Sequence, residues 1–129
     1  MRAVYIPLVA AAALTAGCGR DSGPKELYFS GQPVSHWLEA AKSPDPKVRK
    51  KAVDVLGNVG PADPATIPAL AEAVKDKDPA VRDAAVLALS KIGPPAAAAL
   101  PVLREATKDS NPTVRAHAAT AVERVGGTS

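Results

Sequence analysis

The residues of this chain that could do chemistry are few: one cysteine, Cys18, two histidines, His36 and His117, and an arginine that returns as Arg49, Arg82 and Arg115. A lone cysteine has no partner for an internal disulfide. Metal ligation needs clustered donors, and neither a His-x3-His pair nor a Cys/His set is present. Ser35, His36 and Glu39 fall on one stretch, but a serine beside a histidine on a helix points in another direction, so they make no triad. The sequence contains no G-x-S-x-G, no phosphate-binding glycine loop and no HExxH. It therefore reads as a non-enzyme without a cofactor. Arg49, Arg82 and Arg115 stand near Asp45, Asp78 and Asn111 respectively, and such a row of guanidinium groups is one candidate for binding anions.

The elements that would position these residues repeat. DPKVRKKAVDVLGNVGP from Asp45, DPAVRDAAVLALSKIGP from Asp78 and NPTVRAHAATAVERVGG from Asn111 align, with Pro46, Pro79 and Pro112 spaced 33 residues apart. The arginines keep that interval, as do Val48, Val81 and Val114, then Ala52, Ala85 and Ala118, and Gly60, Gly93 and Gly126. Each Asp or Asn caps free N–H groups, each Pro takes the first helical turn, and each Gly falls where a left-handed C-terminal cap is expected. Between these segments, Ile67 to Lys75 aligns with Leu100 to Lys108, and Val34 to Lys42 fills the same slot one period earlier. Apolar residues recur at helical spacing throughout. The expected helices are about 34–42, 46–59, 65–75, 79–92, 97–107 and 112–125. One repeat cannot bury its apolar face alone, whereas stacked neighbours can. Scarce aromatic residues (3%) and abundant Ala, Val and Leu suit such thin, closely packed layers, and the 13 prolines act as helix punctuation.

The pattern D-P-x-V-R-x-x-A-x-x-A-L-x-x-I-G resembles HEAT repeats, and more narrowly those of the phycobilisome-lyase type, over roughly residues 34–126. The resemblance implies an all-α fold: a short α-solenoid of HEAT-type helix pairs, six helices in two layers. It also implies a second role for the arginine row, a structural ladder in which each Arg bonds caps or carbonyls of a neighbouring repeat. That ladder would comprise Asp45, Arg49, Asp78, Arg82, Asn111 and Arg115. Asn111 in place of Asp, and Gly57 inside a long helix, depart from the family pattern.

The first residues read as an address. Arg2 precedes an uncharged apolar stretch, Ala3 to Ala16, too short to span a bilayer as a helix. Leu14-Thr15-Ala16-Gly17-Cys18 resembles the lipobox of bacterial lipoproteins. By that resemblance residues 1–17 are a signal peptide and Cys18 carries acyl chains sufficient for stable attachment. Residues 18–33 would be the lipidated cysteine and a flexible tether, and 34–129 the repeat domain. The expected location is the bacterial cell envelope, lipid-anchored on the periplasmic or extracytoplasmic side.

The leading functional expectation is a membrane-tethered protein–protein interaction scaffold. Its short helices would line a concave face, with Trp37, Glu39, Glu72, Arg104 and Glu105 as the possible binding surface. Trp37 also suits a second role, covering the end of the stack. The run Lys47, Arg49, Lys50, Lys51 reads as a solvated face or a contact for lipid or an acidic partner. A net charge of +3 with mixed signs gives no case for nucleic acid. The alternatives are lyase-like or chaperone-like handling of a tetrapyrrole, which the resemblance implies, and a structural spacer in an envelope assembly.

Overall fold

The computed structural model describes residues 26–127. Residues 1–17, read from the sequence as a signal peptide, Cys18 and the first residues of the expected tether lie outside them. A two-stranded hairpin, β1 (Tyr28–Phe29) and β2 (Gln32–Pro33), leads into six helices. These are α1 (Val34–Ala40), α2 (Pro46–Val59), α3 (Thr66–Ala73), α4 (Pro79–Ile92), α5 (Leu100–Ala106) and α6 (Pro112–Gly126).

Local chemistry fixes where the long helices start. The Asp45 carboxylate accepts from the backbone N–H of Lys47, Asp78 from Ala80, and the Asn111 side chain from both Thr113 and Val114. A proline follows each cap, where its missing donor costs nothing. Gly60 and Gly93 end α2 and α4 at positive φ (59° and 76°), but with ψ near −144°, outside the left-handed helical well. There the chain turns into 3-10 segments, Gly60–Ala62 and Pro94–Ala99, which deliver it to the short helices. Gly126 departs from expectation. It stays helical, and Gly127 takes the left-handed position (φ 68°, ψ 20°).

The long helices α2, α4 and α6 pack side by side in sequence order as one layer. Each short helix packs on the long helix that follows it, and α3 also touches α2. The result is an all-α, solenoid-like stack. Its core is continuous: Leu56, Leu70, Leu89 and Leu103 are fully buried, as are Ala52, Ala85 and Ala118 at the equivalent position of each long helix. Burying each leucine contributes about 2 kcal/mol, and the alanines let neighbouring helices close up.

Stack order explains one misplaced core residue. Val81 and Val114 are 1% and 0% exposed, whereas Val48, at the same repeat position, is 40% exposed. A long helix precedes α4 and α6, but among the described residues none precedes α2.

The tether also needs correction. The sequence predicts a flexible tether through residue 33, yet residues 28–33 form the hairpin. Ser30 and Gly31 make its two-residue loop with positive φ at both positions (53° and 80°), the turn whose twist suits paired strands. Phe29 packs against the core, the Val34 N–H donates to the Leu27 carbonyl at 2.8 Å, and Trp37 Nε1 donates to the Phe29 carbonyl at 2.9 Å. The hairpin thus belongs to the folded unit and covers its first helix.

Candidate functional site

Two features of the stack bring polar residues together: an arginine ladder, and grooves between the short helices.

In the ladder, Arg49 Nε and Nη2 donate to both carboxylate oxygens of Asp76, at 2.8 and 3.0 Å. Arg82 grips Asp109 with the same two distances. The third nitrogen, Nη1, turns back to donate to the carbonyls that precede its own helix: Ser43 and Pro44 for Arg49, Asp76 and Lys77 for Arg82. Each arginine therefore ties its own repeat to the next. Bidentate geometry of this kind fixes register as well as adding energy.

The carboxylates differ from the expected ones. Asp45, Asp78 and Asn111 are occupied as helix caps and are not gripped by the arginines. The partners are Asp76 and Asp109, each two residues before a cap, and each also accepts the backbone N–H of the capping residue (2.9 and 2.8 Å). Sequence reasoning missed them, although the interval was there to see: Ser43, Asp76 and Asp109 share one repeat position. Ser43 does the local part of the job, its Oγ accepting the Asp45 N–H at 3.1 Å.

Burial alone would raise the Asp76 and Asp109 carboxyls. The arginine hydrogen bond, the backbone N–H and the arginine charge outweigh it and hold both below the ordinary carboxylate range. Arg49 is correspondingly raised, first by its hydrogen bond to Asp76. With Arg49 buried in this pair and Lys50 bonded to Asp54 at 3.1 Å, the run from Lys47 to Lys51 does not act as one basic patch. Anion binding at the two inner arginines would require displacing a carboxylate already in place.

A second set of contacts joins the long helices on their outer side. His117 Nδ1 lies 2.6 Å from Asp83 Oδ1, and Lys91 donates to Asn58. His36 is exposed, its ring edge-on to Trp37. Among the described residues no three His, Cys, Asp or Glu side chains gather as a metal site, and no helix is long and apolar enough to cross a membrane.

The expected binding residues divide. Glu39, Glu72, Arg104 and Glu105 are exposed on the short helices, with Glu39 beside Lys42 (3.9 Å) and Glu72 beside Lys75 (3.4 Å). Trp37 is 7% exposed and its indole N–H is satisfied by the hairpin, so it is removed from the binding surface. It covers the end of the stack instead.

Between α1 and α3 lies a groove of about 510 Å³, floored by Leu38, Ala41, Ala69 and Ala73 and rimmed by Lys42, Glu72 and Lys77. The equivalent groove between α3 and α5 holds about 160 Å³. The two are lined by residues one repeat apart, and two of the changes between them add bulk to the second. Ala41 and Ala69 in the first become Val74 and Val102 in the second. The two missing pairs of methyl groups leave room along the floor of the first groove.

The stacked helix pairs have a counterpart among known families: the model of HEAT repeats matches residues 34–123. The chain belongs to the HEAT-repeat family. That span takes in all of α1 to α5 and most of α6, so the ladder and both grooves are features of the HEAT repeats themselves. HEAT repeats generally mediate protein–protein interaction. No curated protein matches the chain.

Proposed function

We propose that this HEAT-repeat chain is a non-enzymatic scaffold that holds a protein partner in the α1–α3 groove while Cys18 anchors it to a membrane of the bacterial envelope, on the extracytoplasmic side. The observation that carries the binding part is the groove itself. Its apolar floor and mixed-charge rim suit an extended or helical segment with a few apolar side chains flanked by charges. The ladder keeps the walls in register, so the groove is formed before a partner arrives and little ordering entropy is lost on binding. The anchoring part rests on the sequence alone: a positive start, an apolar stretch, and small residues before a lone cysteine.

Site-specific photo-crosslinking in native envelope membranes tests the binding part. A crosslinker at Glu72 in the groove rim is compared with one at Asp54, exposed on α2. A discrete protein adduct from Glu72 and none from Asp54 is expected. Equal adducts from both positions, or none from Glu72, would sink the groove. Replacing Cys18 by Ser tests the anchor separately: membrane attachment should be lost, and unchanged attachment removes the lipid claim.

A further inference from the structure

The long helices enclose two grooves on their outer side, one repeat apart. The first, between α2 and α4, is lined by Asp54, Gly57 and Asn58 on one wall and by Ala84, Leu87 and Lys91 on the other. The second, between α4 and α6, holds about 300 Å³. At the equivalent positions its walls carry Leu87, Ser90 and Lys91, and His117, Thr120 and Arg124. The repeat thus keeps the shape and changes the chemistry. In the first groove Lys91 meets a neutral acceptor, Asn58, whereas in the second Arg124 faces another cation, Lys91. Asp54 gives way to Leu87, Gly57 to Ser90, and Leu87 to Thr120. Between them these changes remove a negative charge, add a positive one and bring in hydroxyl groups. We propose that the outer groove between α4 and α6 is a receptor for a phosphate group, held between Lys91 and Arg124.

No carboxylate lines this groove. Asp83 is spent on His117, with its Oδ1 2.6 Å from Nδ1. It also stands eight residues before Lys91 on α4, about 12 Å along the axis at a rise of about 1.5 Å per residue, where salt screens an exposed charge. Asp54 belongs to the first groove and is paired with Lys50 at 3.1 Å. Glu123 follows Thr120 on α6 but is not part of the lining. Lys91 has donors to spare beyond the one given to Asn58, and a neutral acceptor leaves its charge uncompensated. Both walls are helices of this stack, so the composition of the groove does not depend on what lies beyond α6.

The donors come from opposite walls: Ser90 and Lys91 from α4, Thr120 and Arg124 from α6. A tetrahedral oxyanion offers oxygens to both walls, whereas a carboxylate offers two in one plane. Ser90 is only 9% exposed and lies deep in the groove, while Leu87, 45% exposed beside these polar groups, supplies an apolar wall for the organic part of a phosphate ester. A lipid headgroup and a soluble phosphate share this chemistry. The site rests neither on the α1–α3 groove nor on the anchor.

Isothermal titration calorimetry with the full chain in a neutral detergent tests the assignment. The probes are inorganic phosphate, glycerol 3-phosphate and dihexanoyl-phosphatidylglycerol, with acetate as the planar anion. Saturable binding of the phosphate probes at one shared site is expected, with acetate about tenfold weaker. Whichever probe binds tightest identifies the source: the free ion, a soluble ester or a lipid headgroup. Lys91→Gln and Arg124→Gln should each weaken that probe about tenfold, because each removes a charge-assisted hydrogen bond. The Lys91→Asn/Arg124→Lys variant copies the pair already present in the first groove, so it should keep the parental melting temperature and lose saturable binding. Arg104→Gln, at an exposed arginine on a short helix, should change nothing. Absence of saturable binding by all three phosphate probes, acetate bound as tightly as phosphate, or indifference to the variants at Lys91 and Arg124 would overturn the assignment.

Discussion

At the scale of single residues, the same arginine has different weight at different places in the stack. Arg82 neutralises a carboxylate that burial would otherwise penalise, so Arg82→Ala leaves Asp109 with its backbone contact alone. We expect a loss of about 2 kcal/mol and a melting temperature lower by on the order of 10 °C. Arg115→Ala, whose side chain grips no carboxylate among the described residues, should stay within about 0.5 kcal/mol of the parent. Equal losses at the two sites in thermal denaturation would contradict the ladder. Acid should act on the same pairs. Asp76 and Asp109 have lowered folded values, so the stability they contribute is complete above the unfolded aspartate value of ~3.9 and is lost as pH falls through the folded values. Melting temperature should therefore drop steeply below about pH 4. That drop should be shallower in an Asp76→Asn/Asp109→Asn variant that is less stable at neutral pH. Thr66 offers the opposite sign. It is fully buried, its hydroxyl has no hydrogen-bond partner, and the equivalent position one repeat later is the buried Ala99. Thr66→Val keeps the shape and removes the orphaned polar atom, and chemical denaturation should show a gain of about 1 kcal/mol.

At the scale of elements, the long helices were legible because their signals are local and redundant: cap, proline, helical periodicity and terminal glycine, repeated three times. Short-helix boundaries were less so, since residues 94–99 continue the apolar pattern but form a 3-10 segment rather than the start of α5. The hairpin was not legible at all. Strands of two residues have no alternation to read, and only the packing of Phe29 and the Trp37 bond reveals its purpose. Gly57 looked like a flaw in α2 until its neighbour was placed. It marks the closest approach of α2 and α4, where an added methyl group would meet Ala88. Gly57→Ala should gain about 1 kcal/mol in helix propensity yet lose more by forcing the helices apart, for a net loss of about 1 kcal/mol in denaturant unfolding. A stabilised variant would show that the helices are not so close.

At the scale of the whole molecule, the repeat register decides what can bind. The 33-residue interval foretold a stack, and the stack sets Arg49 against Asp76 and Arg82 against Asp109. The acids escaped sequence reasoning because the capping residues two positions later already explained an acidic turn. The groove escaped it because its width is a difference between repeats, Ala41 and Ala69 against Val74 and Val102, rather than a motif within one. Chemistry-bearing residues were mostly absorbed by structure, as the arginines and Trp37 show, and the binding surface is left to shape. Filling that shape is the most direct measurement. An Ala41→Val/Ala69→Val variant copies the narrow groove that the protein already tolerates one repeat later, so helicity and melting temperature should be retained. The Glu72 crosslink to the partner in envelope membranes should fall to background in that variant. An undiminished adduct on a folded variant would mean that the groove is not where the partner sits.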